Sequence, residues 1–216
     1  MNEENTLNIL KKTLQVSSEL LESELGFVDY QRFTDFVREI SGAKYAAFNI
    51  FEEDGRKFMT VALSGIDEHL TKATKMLGFD ILNNKWDYDS AREKKIKDKK
   101  TTLFENLHAL TGDVVPIRVA SLIEKTFDIS KVAIVRILRD KKPVGDFTLL
   151  FDRQGNLENQ EVVELVSNLA GLLISRARAE DLVRKEAIES KRINDLLVDR
   201  ELKMVALKEE LNKLKG

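Results

Sequence analysis

The two histidines, His69 and His108, are the side chains of this sequence best suited to proton transfer or to ligation of a metal or haem near neutral pH. His69 lies in "DEHLTKATKML", which reads as an amphipathic helix with the imidazole on its wet side. His108 lies in "FENLHAL", between apolar residues, and is either a core histidine or a donor aimed into a pocket. Nothing around either residue favours a haem. The sequence has no cysteine, which excludes disulfides, thiolate zinc sites, cysteine nucleophiles and thioether-linked chromophores together. GxSxG, Walker and HExxH patterns are absent as well. No catalytic residue, metal ligand or cofactor is therefore assigned, and the chain is not expected to be an enzyme.

Three other groups could carry binding. Trp86 and Tyr88 in "NNKWDYD" either wall a pocket or pack in a core. The stretch Arg92–Lys100 holds six basic and two acidic residues with no aromatic between them, so a solvated loop is expected rather than a nucleic-acid surface. The carboxylates fall mostly on charged helix faces, where solvation accounts for them.

These residues need elements to position them. The 216-residue chain is 43% hydrophobic and 33% charged, with a net charge of −2, which fits a globular domain with long surface helices and no pull toward nucleic acid. The acidic, polar start "MNEENTLNILKK" has no apolar signal region, and no run reaches the roughly 20 apolar residues of a membrane span. A cytoplasmic location is expected. A first helix is predicted from Thr6 to Leu25, with Leu7, Leu10, Leu14 and Leu21 in a narrow stripe. A second is capped by Asp29, carries Phe33, Phe36, Val37 and Ile40, and ends at "SGAK". Asp54-Gly55 between two apolar runs predicts a hairpin. Asp67 is expected to cap a helix ending near Gly78. The stretch from Phe79 to Asp113 reads as short strands and loops. A further helix starts near Pro116. "KVAIVRILRD" and "VGDFTLLFD" flank "KKP" as a second hairpin, apolar enough to be covered on both faces.

The last helix, from about Asn159, carries a heptad seam through Val162, Leu165, Leu169, Leu172, Arg176, Ala179, Val183, Glu186, Ser190, Ile193, Leu197, Arg200, Met204, Leu207, Leu211 and Leu214. Twelve of these sixteen positions are apolar in one unbroken register, which is a coiled-coil pattern. Its first part is also apolar off the seam (Val163, Val166, Leu173, Ile174) and is expected to pack on the domain. Beyond about Arg178 the seam alone is read as apolar. The polar seam residues Arg176, Glu186, Ser190 and Arg200 either set register in a helix pair built to shift or are weak spots in it. The order of elements makes the fold class α+β with an antiparallel sheet.

The stretches "FTDFVREISGAKYAAFNIFEEDGRKFMTVALSGI", "KVAIVRILRDKKPVGDFTLLFD" and "NQEVVELVSNLAGLLISRARAEDLVRKE" together resemble a GAF domain, the small-molecule-sensing module of bacterial and archaeal signalling proteins. "VDRELKMVALKEELNKL" is similar to the linkers that precede output modules in sensor histidine kinases. The resemblance spans about residues 27–215. It implies a central antiparallel sheet of five to six strands, terminal helices on one face, a pocket on the other, and a long C-terminal coiled-coil helix. The chromophore-bearing cysteine of phytochrome-type members is missing. So is the NKFDE-type motif of the cyclic-nucleotide binders, since Phe104 is followed by "ENLHAL". The architecture is thus carried over without a ligand.

The expected organisation is a dimerisation helix at 1–26, a sensor domain at 27–178 and a signalling linker at 179–216. The pocket candidates are Phe79, Trp86, Tyr88, His108 and Phe127. The dimer seam is Ile193, Leu197, Met204, Leu207, Leu211 and Leu214. The expected role is a two-component-type sensor, a homodimer through its terminal helices, acting on an output domain or kinase in the same or another chain. The alternative is a ligand-free scaffolding dimer. An enzyme of this fold, such as a sulfoxide reductase, would need the cysteines that are absent. Replacing Leu207→Asp together with Leu211→Asp is expected to leave the domain folded but the chain monomeric and less helical, by light scattering and circular dichroism. An unchanged mass would remove these leucines from the dimer interface.

Overall fold

The computed structural model describes residues 9, 11–15, 18, 28–66, 80–82, 84–87, 90–96, 99–112 and 115–214. The chain forms two compact units, Met1–Ser175 and Arg176–Gly216. In the first unit the elements run α1 (Tyr30–Ser41), β1 (Tyr45–Phe51), β2 (Lys57–Ser64), β3 (Lys85–Asp87), α2 (Ser90–Ile96), β4 (Thr101–Phe104), α3 (Leu107–Thr111), α4 (Ile117–Phe127), β5 (Lys131–Arg139) and β6 (Lys142–Phe151). The last helix, α5 (Gln160–Leu214), begins in the first unit and makes up the second.

Local chemistry sets most of these boundaries. The Asp29 carboxylate accepts from the Arg32 backbone N–H at 3.0 Å and opens α1. Gly42, at φ 68°, closes it in a left-handed conformation that favours glycine. The β1–β2 turn runs through Asp54-Gly55, where Asp54 accepts from Arg56 N at 2.9 Å. The second hairpin turns one step earlier than its sequence pattern predicts. Asp140 and Lys141 both take positive φ, 49° and 66°, the geometry that matches strand twist in a two-residue turn. Pro143 consequently lies inside β6, opposite Leu138, where the register slips between Ile137 and Leu138. A bulge of this kind tolerates a residue with no N–H to donate.

The six strands are ordered β3-β2-β1-β6-β5-β4, and all the ladders are antiparallel. The first and last strands of the two hairpins, β1 and β6, meet in the middle. β5 and β6 are buried almost throughout, as expected of strands covered on both faces. On one face, Phe33, Phe36, Val37 and Ile40 of α1 and Val163, Val166, Ala170, Leu173 and Ile174 of α5 pack against Phe48, Phe147 and Leu149. Ile9 packs there too. On the other face Ile96, Leu110, Ile123 and Phe127 from α2, α3 and α4 cover Tyr45, Val132 and Ile134.

Three expectations need correction. The region read as short strands and loops contains two helices, α2 and α3, along with β3 and β4. The basic stretch read as a solvated loop is partly α2, with Arg92 and Ile96 buried, because Arg92 has a buried carboxylate to meet. In the second unit the apolar residues extend beyond the seam, since Leu182, Ile188, Leu196, Val198, Leu202 and Val205 are exposed as well as Ile193, Leu197, Met204, Leu207 and Leu211. Most of the predicted N-terminal helix and all of the helix after Asp67 lie outside the described residues. Of the N-terminal stripe, Leu14 is exposed, while Leu7, Leu10 and Leu21 are not described.

The approach of α5 to the sheet depends on Gly171, where an added Cβ would stand 2.8 Å from the Leu138 carbonyl oxygen. Helix propensity favours alanine over glycine by about 1 kcal/mol. The clash is with backbone and outweighs that gain, so Gly171→Ala is expected to lower stability by about 1–2 kcal/mol. Urea unfolding measures this, and a stabilised variant would show that the helix can back away freely.

Candidate functional site

Strand register builds the site. Asn49 of β1 stands opposite Thr60 of β2 on one side and Asp146 of β6 on the other. Asp146 in turn stands opposite Arg136 of β5. The Arg136 backbone N–H donates to Lys100 O, just before β4, at 2.8 Å. A row of polar residues therefore crosses four strands of the sheet and ends at Lys100, beside the fifth.

The row is closely bonded. Thr60 Oγ1 donates to Asn49 Oδ1 at 2.7 Å, and Asn49 Nδ2 donates to Asp146 Oδ1 at 2.7 Å and to Thr148 Oγ1 at 3.1 Å. Thr148 Oγ1 also donates to Asp146 Oδ1, at 3.3 Å. Asp146 is fully buried, so its charge needs a partner. Arg92 of α2 supplies it, donating from Nη2 to Asp146 Oδ2 at 2.7 Å. The Arg92 guanidinium also lies 5.5 Å from the Phe58 ring centroid, within reach of a cation–π contact. Arg136 returns the arrangement, donating at 3.3 Å both to Glu93 Oε1 of α2 and to Ile96 O at its end. Two arginines and two carboxylates thus fasten α2 to the middle of the sheet.

At its far end the row reaches α5. Lys100 Nζ donates to Glu164 O at 2.8 Å and to Asn168 Oδ1 at 2.6 Å, and Thr101 Oγ1 donates to Glu164 Oε1 at 2.6 Å. Burial pushes the Lys100 ammonium below its ordinary pKa, and the Glu164 charge offsets this only in part. Burial also pushes the Glu164 carboxyl up, but hydrogen bonds from Thr101 and Gln160 and the charge of Lys100 together hold it below the ordinary value.

Over the polar row lies a cavity of 260 Å³. Asn49, Thr60, Thr148 and Arg92 form its polar floor. Phe58, Ile66, Ile81, Leu110, Ile123 and Leu150 are among its apolar walls. Of the five pocket candidates, Trp86 and Phe127 line it. Trp86 is held on edge strand β3 opposite Phe58, and Phe127 meets Tyr45 edge-on at 6.2 Å. His108, on α3, is not among the described lining residues, and its Nδ1 is buried without a hydrogen-bond partner among them. Phe79 and Tyr88 lie outside the described residues. Thr111, at the end of α3, lines the cavity with a buried Oγ1 that also has no partner among the described residues. No group of three or more His, Asp or Glu side chains placed to hold a metal occurs among the described residues.

Sequence reasoning missed Asn49, Thr60, Arg92, Asp146 and Thr148. Their signal was the polar residue set inside an apolar strand. The ion pair gives a direct check. Arg92→Met leaves the Asp146 carboxylate buried without its counter-charge and is expected to cost about 3–5 kcal/mol in urea unfolding. The double change Arg92→Met with Asp146→Asn should recover most of that. A single variant as stable as the parent would show that Arg92 is dispensable to Asp146.

No protein-family model and no curated protein matches the sequence. Solved structures do match the fold. The GAF domain of a phosphoenolpyruvate-protein phosphotransferase from Acinetobacter superposes with a TM-score of 0.56 at 10% identity, over 83% of this chain and 97% of that one. The chromophore-binding domain of a bacteriophytochrome from R. palustris gives 0.55 at 11% identity, over 82% of this chain and 64% of that one. That of the Stigmatella aurantiaca bacteriophytochrome gives 0.50 at 10%, over 78% and 60%. The chain therefore spans less than two thirds of either phytochrome piece. With its six-stranded antiparallel sheet between two helical layers, the first unit has a GAF-like α+β fold.

Proposed function

We propose that this chain is the sensor part of a two-component-type signalling protein that binds a small molecule in the cavity over the Asn49–Asp146 row. The observation that carries the reading is the continuity of that row. Thr60 of the floor bonds Asn49, Asn49 and Thr148 bond Asp146, and Asp146 pairs in the sheet with Arg136, whose backbone N–H donates to Lys100, the residue that grips α5. A ligand that alters α2 or the floor would alter that grip, provided it binds the two arrangements with different affinity. Helix α5 continues into the second unit, whose seam gives a second copy an apolar stripe to pair with. The output domain or kinase stands in the same or another chain, in the cytoplasm.

In this reading the sensor occupies residues 27–178. It is preceded by a dimerisation segment at 1–26 and followed by the coiled-coil linker at 179–216. Trp86 and Phe127 serve as ligand walls. The GAF-like fold supports the reading because proteins that share it include chromophore-binding domains. The cavity weighs against a ligand-free scaffold, in which the described side chains would fill the space themselves.

Native mass spectrometry of the purified chain with nothing added tests this. The expected result is a dimer carrying extra mass, which Trp86→Ala loses while remaining a dimer. A dimer with no extra mass, unchanged by the substitution, would favour the scaffold. A monomer would remove the coiled-coil half of the reading.

A further inference from the structure

The charge balance of the cavity indicates what kind of molecule it takes. The charged residues among the described lining are Arg92, which holds Asp146, and Asp87, an exposed carboxylate 3.8 Å from Lys57 Nζ. Asp146 itself is fully buried, with Oδ1 accepting from Asn49 and Thr148 and Oδ2 from Arg92. Asn49 uses both ends of its amide, donating to Asp146 and accepting from Thr60. Lys100, the next cation along the row, is committed to α5.

A ligand carboxylate or phosphate would have to share Arg92 with the Asp146 carboxylate and bring its own charge into a mostly apolar space beside that like charge. A ligand ammonium would have to compete with Arg92 for Asp146. In either case the desolvation of the ligand charge and the like charge beside it are both unfavourable. Hydroxyls of the lining offer neutral hydrogen-bonding positions. Thr111 Oγ1 has no partner among the described residues, and Thr60 Oγ1 donates to Asn49 with its lone pairs still available. Both line the cavity. Its 260 Å³ falls just below the roughly 300–1,000 Å³ usual for drug-sized ligands. The described walls are mostly aromatic and branched aliphatic side chains, which suit flat apolar rings.

We infer that the cavity binds an uncharged, mainly apolar ring compound of one or two rings, bearing a single hydroxyl or carbonyl that meets Thr111. This rests on the reading of the cavity as the ligand site and narrows its ligand to a chemical class.

A matched pair of probes tests it on the full chain: 2-naphthol and 2-naphthoate near neutral pH, with naphthalene as the form lacking a polar group. Binding is read by calorimetry and by the emission of Trp86, the one tryptophan of the sequence, which lines the cavity. The neutral naphthol is expected to bind at least about tenfold more tightly than the carboxylate. Thr111→Val, which keeps the side-chain shape, is expected to weaken naphthol several-fold and leave naphthalene unchanged. Equal or tighter binding of naphthoate would overturn the inference, as would failure of all three probes to bind. So would a naphthol affinity indifferent to Thr111→Val, because the hydroxyl would then have no role. Extra mass retained in the native spectrum of the untreated chain alongside any of these failures would leave the cavity as the site and reject only the ligand class.

Discussion

A carboxylate fully buried at the centre of a sheet is the constraint around which the first unit is built. Asp146 sits on the strand that joins the two hairpins, opposite Asn49 and Arg136. Its charge would be strongly unfavourable there alone, so the chain must bring a cation to it. That cation comes from Arg92, far away in sequence, and the requirement fixes where α2 lies. With α2 pinned, Glu93 meets Arg136, Ile96 fills the apolar layer beside Phe104, and the chain is delivered to β4 with Lys100 against α5. One electrostatic demand therefore positions the cover of one face and an attachment to the helix on the other.

The opposite face is held by a different kind of interaction. There α1 and the start of α5 bury phenylalanines and branched side chains. Gly171 lets α5 come close enough to touch the Leu138 carbonyl region. At the start of α5, Asn159 donates to Ile40 O at 2.8 Å, and Glu158 N donates to Ser41 O at 2.9 Å, which ties that helix to the end of α1. Close apolar packing resists continuous deformation and favours discrete arrangements. The sheet thus carries a buried, hydrogen-bonded polar row on one face and a close-packed apolar layer on the other.

Much of this was legible in sequence, for reasons that differ by element. The hairpins, the Asp29 cap and the long last helix are local patterns, readable because turn chemistry and side-chain period act over a few residues. The cavity-facing cluster was not, because each member is paired with a residue distant in the chain. Asn49 to Asp146 and Arg92 to Asp146 exist only once β1 lies beside β6. Arg136 and Asp146 did leave a trace, as charges inside strands otherwise apolar enough to be covered on both faces. A charge at such a position must be compensated by something, and the basic stretch read as a solvated loop contained the compensating group. For His108 the sequence left a core position and a pocket position open, and the described walls do not include it.

A cavity floored by neutralised charges places a particular demand on any signalling role. A ligand that competed for Arg92 would act by breaking the pair and would have to overcome its full strength. A ligand that leaves the pair intact can act only through shape, by changing how α3 and α4 lie over the pinned α2 and the sheet. The second route suits the proposed sensor better. The helices of the cover are short, and α3 is linked to α4 by the Glu124 carboxylate accepting from Leu107 N at 2.7 Å. A ring inserted between them and the floor would move them as a group. The pull would reach α5 through β4, whose Thr101 and neighbouring Lys100 hold Glu164. The buried ion pair then serves as the fixed point against which the cover moves, and its strength favours transmission of the change rather than its loss in the floor.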